Sequence, residues 1–147
     1  MKDISRITDQ LYIGAWNSGI DETEIDRLGV DLIISTIFYL PRHLANHSIE
    51  VVWLPSFDHK FLPIPMKMLK RGAGIAKEFL DEGKNVLVYC KEGRHRSVAM
   101  TAAILINQGF SAKEAVELIK RQRMIADPDV EYIRRRINRY EQLNSKP

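Results

Sequence analysis

The sequence holds a single cysteine, Cys90, in 147 residues. A lone thiol cannot close an intramolecular disulfide and leaves no partner for a multi-thiolate zinc site. It suits a reducing compartment. No apolar run approaches the ~18 residues of a membrane span, and Met1-Lys2-Asp3-Ile4-Ser5-Arg6 lacks the apolar core of a signal peptide. A cytoplasmic location is therefore expected. Strong charge of one sign is also missing. The formal net charge is +3 and the basic residues are spread along the chain, so nucleic acid is not an expected partner and anionic ligands are favoured only mildly. There is no internal repeat, linker or low-complexity segment. The length suits one domain over residues 1–147, able to bury its own core and expected to act as a monomer.

What is present is an alternation of strand and helix signals. Ile4 to Ile7 and Leu11 to Gly14 predict short edge strands around a turn at Thr8-Asp9-Gln10. Asp21 to Leu28, following Ile20, predicts a helix closed by Gly29. Val30 to Ile37 is apolar and β-branched, as a strand covered on both faces should be, and Ile49 to Leu54 predicts another, stopped by Pro55. The segment Ser56 to Pro65 has two prolines and no helical period, so it is a loop. A helix follows from Met66 to Asp81, with Leu69, Ala73, Ala76 and Leu80 inward and Gly83 closing it. Gly72 and Gly74 each cost that helix ~1 kcal/mol relative to Ala, which suggests close packing on a sheet. After Gly109, Ser111-Ala112-Lys113-Glu114 forms a capping box for a helix to about Arg123. Asp127-Pro128 predicts the start of a last helix with Val130, Ile133, Ile137 and Tyr140 inward and Arg134 to Arg136 on a solvated face. The pattern implies an α/β sandwich: a mostly parallel, twisted sheet of about five strands flanked by five to six helices.

The stretch Val86 to Ser97 organises the chain. A buried strand runs into a polar loop, and the apolar segment Val98 to Ile106 behind it predicts a buried helix. The first turn of a helix carries unpaired amides and roughly half a positive charge, which together bind anions. Five residues separate Cys90 from Arg96, enough for the amides of Lys91, Glu92, Gly93, Arg94, His95 and Arg96 to curl around a tetrahedral oxyanion. A buried cysteine is ordinarily just a small hydrophobe. Here the flanking strand, Gly93, the Ser97 hydroxyl and the following helix together favour a nucleophile, and the unpaired amides, the helix dipole, Arg96 and the Ser97 hydroxyl would stabilise a thiolate.

A thiolate attacking phosphorus leaves an alcohol that needs a proton. Asp58, in the Pro-rich loop after a strand, is the candidate acid, since that loop can fold over the anion site. His59 and Lys60 beside it either bind substrate phosphates or only solvate the loop. No metal site and no cofactor are expected.

These residues resemble the cysteine-dependent protein tyrosine phosphatases, within them the compact dual-specificity phosphatases. Cys90-Lys91-Glu92-Gly93-Arg94-His95-Arg96-Ser97 is similar to the family's Cys-x5-Arg-Ser signature, and Asp58 stands about as far upstream as its general acid. Ile7 to Gly14 resembles the opening strands, and Arg123-Met124-Ile125-Ala126-Asp127-Pro128 the segment before the last helix. The resemblance implies a metal-independent phosphomonoester hydrolase with a phosphocysteine intermediate. In it Cys90 attacks, Asp58 protonates the leaving group and then activates water, Arg96 and the loop amides hold the oxygens, and Ser97 assists thiolate departure. The family usually has His before the cysteine. Here it is Tyr89, whose hydroxyl still offers a hydrogen bond.

The implied substrate is a phosphotyrosine, phosphoserine or phosphothreonine protein. Lys91 and Arg94 also resemble the loops of phosphoinositide, phosphatidylglycerophosphate and inositol pyrophosphate phosphatases, so a phosphorylated lipid or inositol is the alternative. An inactive phosphate-binding module is the remote one.

Overall fold

A computed structural model of the chain describes residues 3–16, 22–38 and 49–145. Ile20 and Asp21, proposed as the start of the first helix, lie outside these residues. So do His43 and His47, a histidine pair with i, i+4 spacing, so the expectation of no metal site has no test there.

Five strands follow the apolar runs: β1 (Ile4–Arg6), β2 (Leu11–Ala15), β3 (Val30–Ser35), β4 (Glu50–Trp53) and β5 (Asn85–Cys90). They form one sheet in the order β1-β2-β5-β3-β4. Only the β1–β2 pair is antiparallel, which a short turn allows; β2, β5, β3 and β4 run parallel. Period-two alternation splits the central strand between two cores. Val86 and Val88 face four helices, α2 (Met66–Asp81), α3 (Arg96–Asn107), α4 (Ala112–Gln122) and α5 (Glu131–Asn144). Leu87 and Tyr89 face the other side, with Trp16 and with Ile25 of α1 (Glu22–Leu28). The result is an α/β sandwich with a mixed, mostly parallel sheet and five helices among the described residues.

Helix α3 is the spine of the larger layer. Every residue from Arg96 to Ile106 is buried, and from Val98 on all but Thr101 are apolar, as suits a helix enclosed between sheet and helices. Helices α2, α4 and α5 are amphipathic and cover it. The predicted bounds of α2 hold to the residue, and the capping box of α4 forms in full: Glu114 N–H donates to Ser111 Oγ at 3.0 Å and Ser111 N–H to Glu114 Oε1 at 2.8 Å.

Two expectations need correction. A Cβ on Gly72 would lie 2.5 Å from Met100 Sδ and 3.0 Å from Leu54, whereas one on Gly74 meets nothing within 4 Å. The close approach is thus between α2 and α3 at Gly72 alone, and Gly74 faces open space. The last helix begins at Glu131, not at Pro128. Asp127 is held instead through its backbone N–H, which donates to Arg94 O at 3.0 Å. Residues 128–130 form a turn between that tie and the first helical residue.

Candidate active site

The parallel strands deliver their carboxyl ends to one edge, where a switch in strand order leaves a crevice. Strand β5 stops there at Cys90, and α3 begins six residues later at Arg96. Between them Gly93 takes φ +67°, and a Cβ there would lie 2.5 Å from Arg123 Nη2 and 2.9 Å from Gly14 O. Only glycine satisfies both conditions. The turn brings Gly93 N–H to 3.2 Å from Cys90 Sγ, and Ser97 Oγ lies 3.1 Å from the same sulfur. Both contacts are ones a thiolate accepts.

Arg96 reaches back beneath the loop. Its Nη1 donates to Ser56 O at 2.6 Å and Thr36 O at 3.2 Å, which fixes the guanidinium plane. Its Nε is buried and has no hydrogen-bond partner among the described residues. A buried donor left unsatisfied costs ~1–3 kcal/mol. An oxyanion seated in the loop is the partner such a donor fits.

Arg123 was not singled out for this site by sequence reasoning. Its side chain is 2% exposed. Nε donates to Gly93 O at 2.8 Å and Nη2 to Glu92 O at 3.1 Å, while Nη1 bonds Asp3 Oδ1 at 2.8 Å and Ser5 Oγ at 2.9 Å. One guanidinium thereby pulls the loop carbonyls outward, which turns the amides of the same peptides inward. The nearest signal was its place in the Arg123 to Pro128 segment.

Asp58 comes to the mouth of the loop. Tyr132 Oη–H donates to Oδ1 at 2.6 Å, and His95 Nδ1 lies 2.8 Å from Oδ2. Burial pushes the Asp58 carboxyl up, but the bonds from Tyr132 and His95, with the charges of His95 and Arg96, outweigh it and hold the group below the usual carboxylate range. Tyr132 shows the converse: burial and its bond to Asp58 push the phenol up to about 12. It therefore keeps its proton, and remains a donor, throughout neutral pH. Nothing in the sequence marked Tyr132, since a tyrosine one residue before an inward Ile133 reads as helix surface.

A cleft of about 170 Å³ is lined by Asp58, Cys90, Lys91, Glu92, Arg94, His95 and Arg96. The expected site residues are thus gathered, with Ser97 behind the sulfur. His59 and Lys60 are not at the cleft. His59 Nδ1 accepts from Phe61 N–H at 3.1 Å within its own turn, and Lys60 Nζ sits 5.0 Å over the Phe61 ring, facing a neighbouring groove. Tyr89 also departs from expectation. Its ring stacks on Trp16 at 5.2 Å on the opposite face of the sheet, so its hydroxyl does not serve the Cys90 sulfur. Among the described residues no group of three or more His, Cys, Asp or Glu side chains converges as a metal site requires.

A family model of the dual specificity phosphatase catalytic domain matches residues 11–142. Among curated relatives, tyrosine-protein phosphatase yvh1 of Schizosaccharomyces pombe is 27% identical over 91% of this chain, but this chain spans only 40% of its length. Human dual specificity phosphatase 28 is 28% identical over 84% of this chain and 70% of its own. A rat phosphatidylglycerophosphatase and protein-tyrosine phosphatase 1 is 37% identical over 53% of this chain and 40% of its own. The crystal structure of a mouse putative dual specificity phosphatase complexed with zinc tungstate superposes with a TM-score of 0.84 at 25% identity, covering 95% of this chain and 87% of that one.

Proposed function

The chain belongs to the dual specificity phosphatase family, and from that premise we propose that residues 1–147 form one monomeric, cytoplasmic catalytic unit that hydrolyses phosphomonoesters of proteins through a phosphocysteine intermediate. The observation that carries this reading is the convergence on one 170 Å³ cleft of a sulfur with two hydrogen-bond partners, a fixed guanidinium with a spare buried N–H, and a carboxyl held by two side chains.

The family resemblance implies the steps, and the arrangement of the cleft supports them. The phosphoryl oxygens take the loop amides and the Arg96 guanidinium, and the Cys90 sulfur attacks phosphorus opposite the ester oxygen. The P–O bond breaks as the S–P bond forms, and Asp58 gives its proton to the leaving oxygen. In the apo cleft two hydrogen bonds favour the Asp58 anion. The arriving dianion repels that charge and shifts the carboxyl toward its protonated form. After departure of the alcohol, Asp58 takes a proton from water as the water oxygen attacks phosphorus. Ser97 Oγ–H then supports the sulfur as the S–P bond opens.

Aryl phosphate and phosphotyrosine-peptide hydrolysis tests the reading. Wild type should turn over both, and Cys90→Ser neither; equal rates for the two proteins would remove the nucleophile.

A second reading has its own observation: Lys91 and Arg94 are both exposed on the cleft wall, and extra cations suit a phosphorylated lipid or inositol. Reversing both charges should then harm polyphosphorylated substrates far more than a simple aryl phosphate. Equal losses on the two would argue against it.

A further inference from the structure

Beside the cleft lies a larger groove of about 690 Å³ between the acid loop and α5, lined by Lys60, Phe61, Pro63, Tyr132 and the arginines 135, 136 and 139, with Val130 and Glu131 at its edge. Tyr132, Arg135, Arg136 and Arg139 stand at i, i+3, i+4 and i+7, one stripe of the helix. Ile133, Ile137 and Tyr140 of the same helix are buried on the other side. The three arginines of the stripe thus lie off the buried face. Arg135 pairs with Glu131 at 2.5 Å. Arg136 and Arg139 have no carboxylate partner among the described residues, and the Lys60 ammonium rests on the Phe61 ring. Phe61 itself is 76% exposed and gives the groove an apolar wall beside its cations.

The groove and the cleft share a wall. Tyr132 lines the first and bonds Asp58, which lines the second.

We propose that this groove is a second anion-binding site, which takes the acidic flank of a phosphorylated protein segment while its phosphoryl group occupies the Cys90 loop. The inference rests on the phosphoprotein reading above. It gives His59–Pro63 and α5 a substrate-selecting role that the chemistry at Cys90 does not need. Along α5, Tyr132 to Arg139 is about 10 Å at 1.5 Å per residue. An extended chain covers that in about three residues at ~3.3 Å each. The acidic side chains that fit thus lie two to five positions from the phosphorylated residue. A concave site with apolar walls and cations along one side suits a single extended chain, whereas a flat bilayer surface would meet only the projecting side chains.

The test compares phosphotyrosine peptides carrying three acidic residues at those positions, on either side, with neutral ones, using the full chain and Arg136→Glu/Arg139→Glu. The expected preference for the acidic peptide on one side is about tenfold in kcat/KM, carried by KM, shrinking with salt and lost in the variant. Aryl phosphate turnover should stay unchanged in that variant. Equal kcat/KM for acidic and neutral peptides, or a preference that survives the charge reversal, overturns the proposal. Sedimentation with phosphatidylserine-containing vesicles adds a separate arm: binding that the variant loses, with no peptide preference, would assign the groove to a membrane surface instead. If aryl phosphate is cleaved and no phosphopeptide is, the phosphoprotein reading falls and this inference with it. If peptides are cleaved without acidic preference, only the inference falls.

Discussion

The two loops that meet over the cleft are held by opposite means. The Cys90 loop is tied through its backbone: carbonyls of Glu92 and Gly93 to the buried Arg123, that of Arg94 to the Asp127 amide, and those of Cys90 and Lys91 to the Trp16 amide at 3.0 and 2.9 Å. The acid loop exposes Phe57, Phe61 and Leu62 and closes on itself through a His59–Leu62 bridge. Its carboxyl is placed by two side chains, His95 and Tyr132. Opening the first loop would strand several buried polar groups; opening the second breaks two partly solvated bonds. Nucleophile and anion cradle are thus preorganised, while the acid is positioned by contacts that exchange cheaply with water.

The largest effect should come from Cys90→Ser, with turnover falling at least about 10³-fold and the melting temperature unchanged, since covalent catalysis is lost and the loop ties remain. Asp58→Asn comes next. Its kcat should fall about 10²–10³-fold on phosphoserine peptides and much less on an aryl phosphate with a good leaving group. Equal losses on both would move the general acid elsewhere.

Arg123→Met sharpens the contrast directly. Removing a buried cation that holds two carbonyls and Asp3 should cost roughly 3 kcal/mol in chemical denaturation and lower kcat as well. A variant of full stability would mean that the loop holds itself.

The smallest effect belongs to the acid loop: Tyr132→Phe should reduce kcat only a few-fold at neutral pH and lower stability there slightly, by what the lost bond to the carboxylate contributed. Its signature is in pH dependence. Loss of one bond to the carboxylate lets the Asp58 pKa rise, so the Asp58 limb of the kcat/KM profile moves to higher pH. The stability linkage has the same origin. Because Asp58 is held below the usual carboxylate range, its contribution is complete above about pH 4 and is withdrawn as pH falls through the lower folded value. Acid titration of the variant should show a smaller loss. An unmoved limb would mean that Tyr132 does not act through Asp58.

The parts legible in the sequence were those with local signals. Apolar runs marked β3 and β5, the 3.6 period and the Ser111–Glu114 pair marked α2 and α4, and the spacing of Cys90 and Arg96 marked the anion loop. What could not be read was set by contacts distant in the chain. Arg123 lies 30 residues from Gly93, and Tyr132 lies 74 from Asp58. Asp127-Pro128 carries a sound helix-start pattern, yet its amide is taken by Arg94. Tyr89 failed for a simpler reason: strand alternation sends its ring to the face opposite Cys90. Gly72 was suggestive, but only the packed helices show that its neighbour is Met100 rather than a strand.

The Trp16 amide that bonds both Cys90 and Lys91 carbonyls belongs to a buried indole stacked on Tyr89. The chain's other tryptophan, Trp53, is 39% exposed on β4 and donates to Ile37 O. With Trp53→Phe as background, tryptophan emission should come from Trp16 alone, whose amide donates to the carbonyl of the cysteine that carries the reacting sulfur. Oxyanion occupancy and phosphocysteine turnover then become observable in real time, without a label on enzyme or substrate.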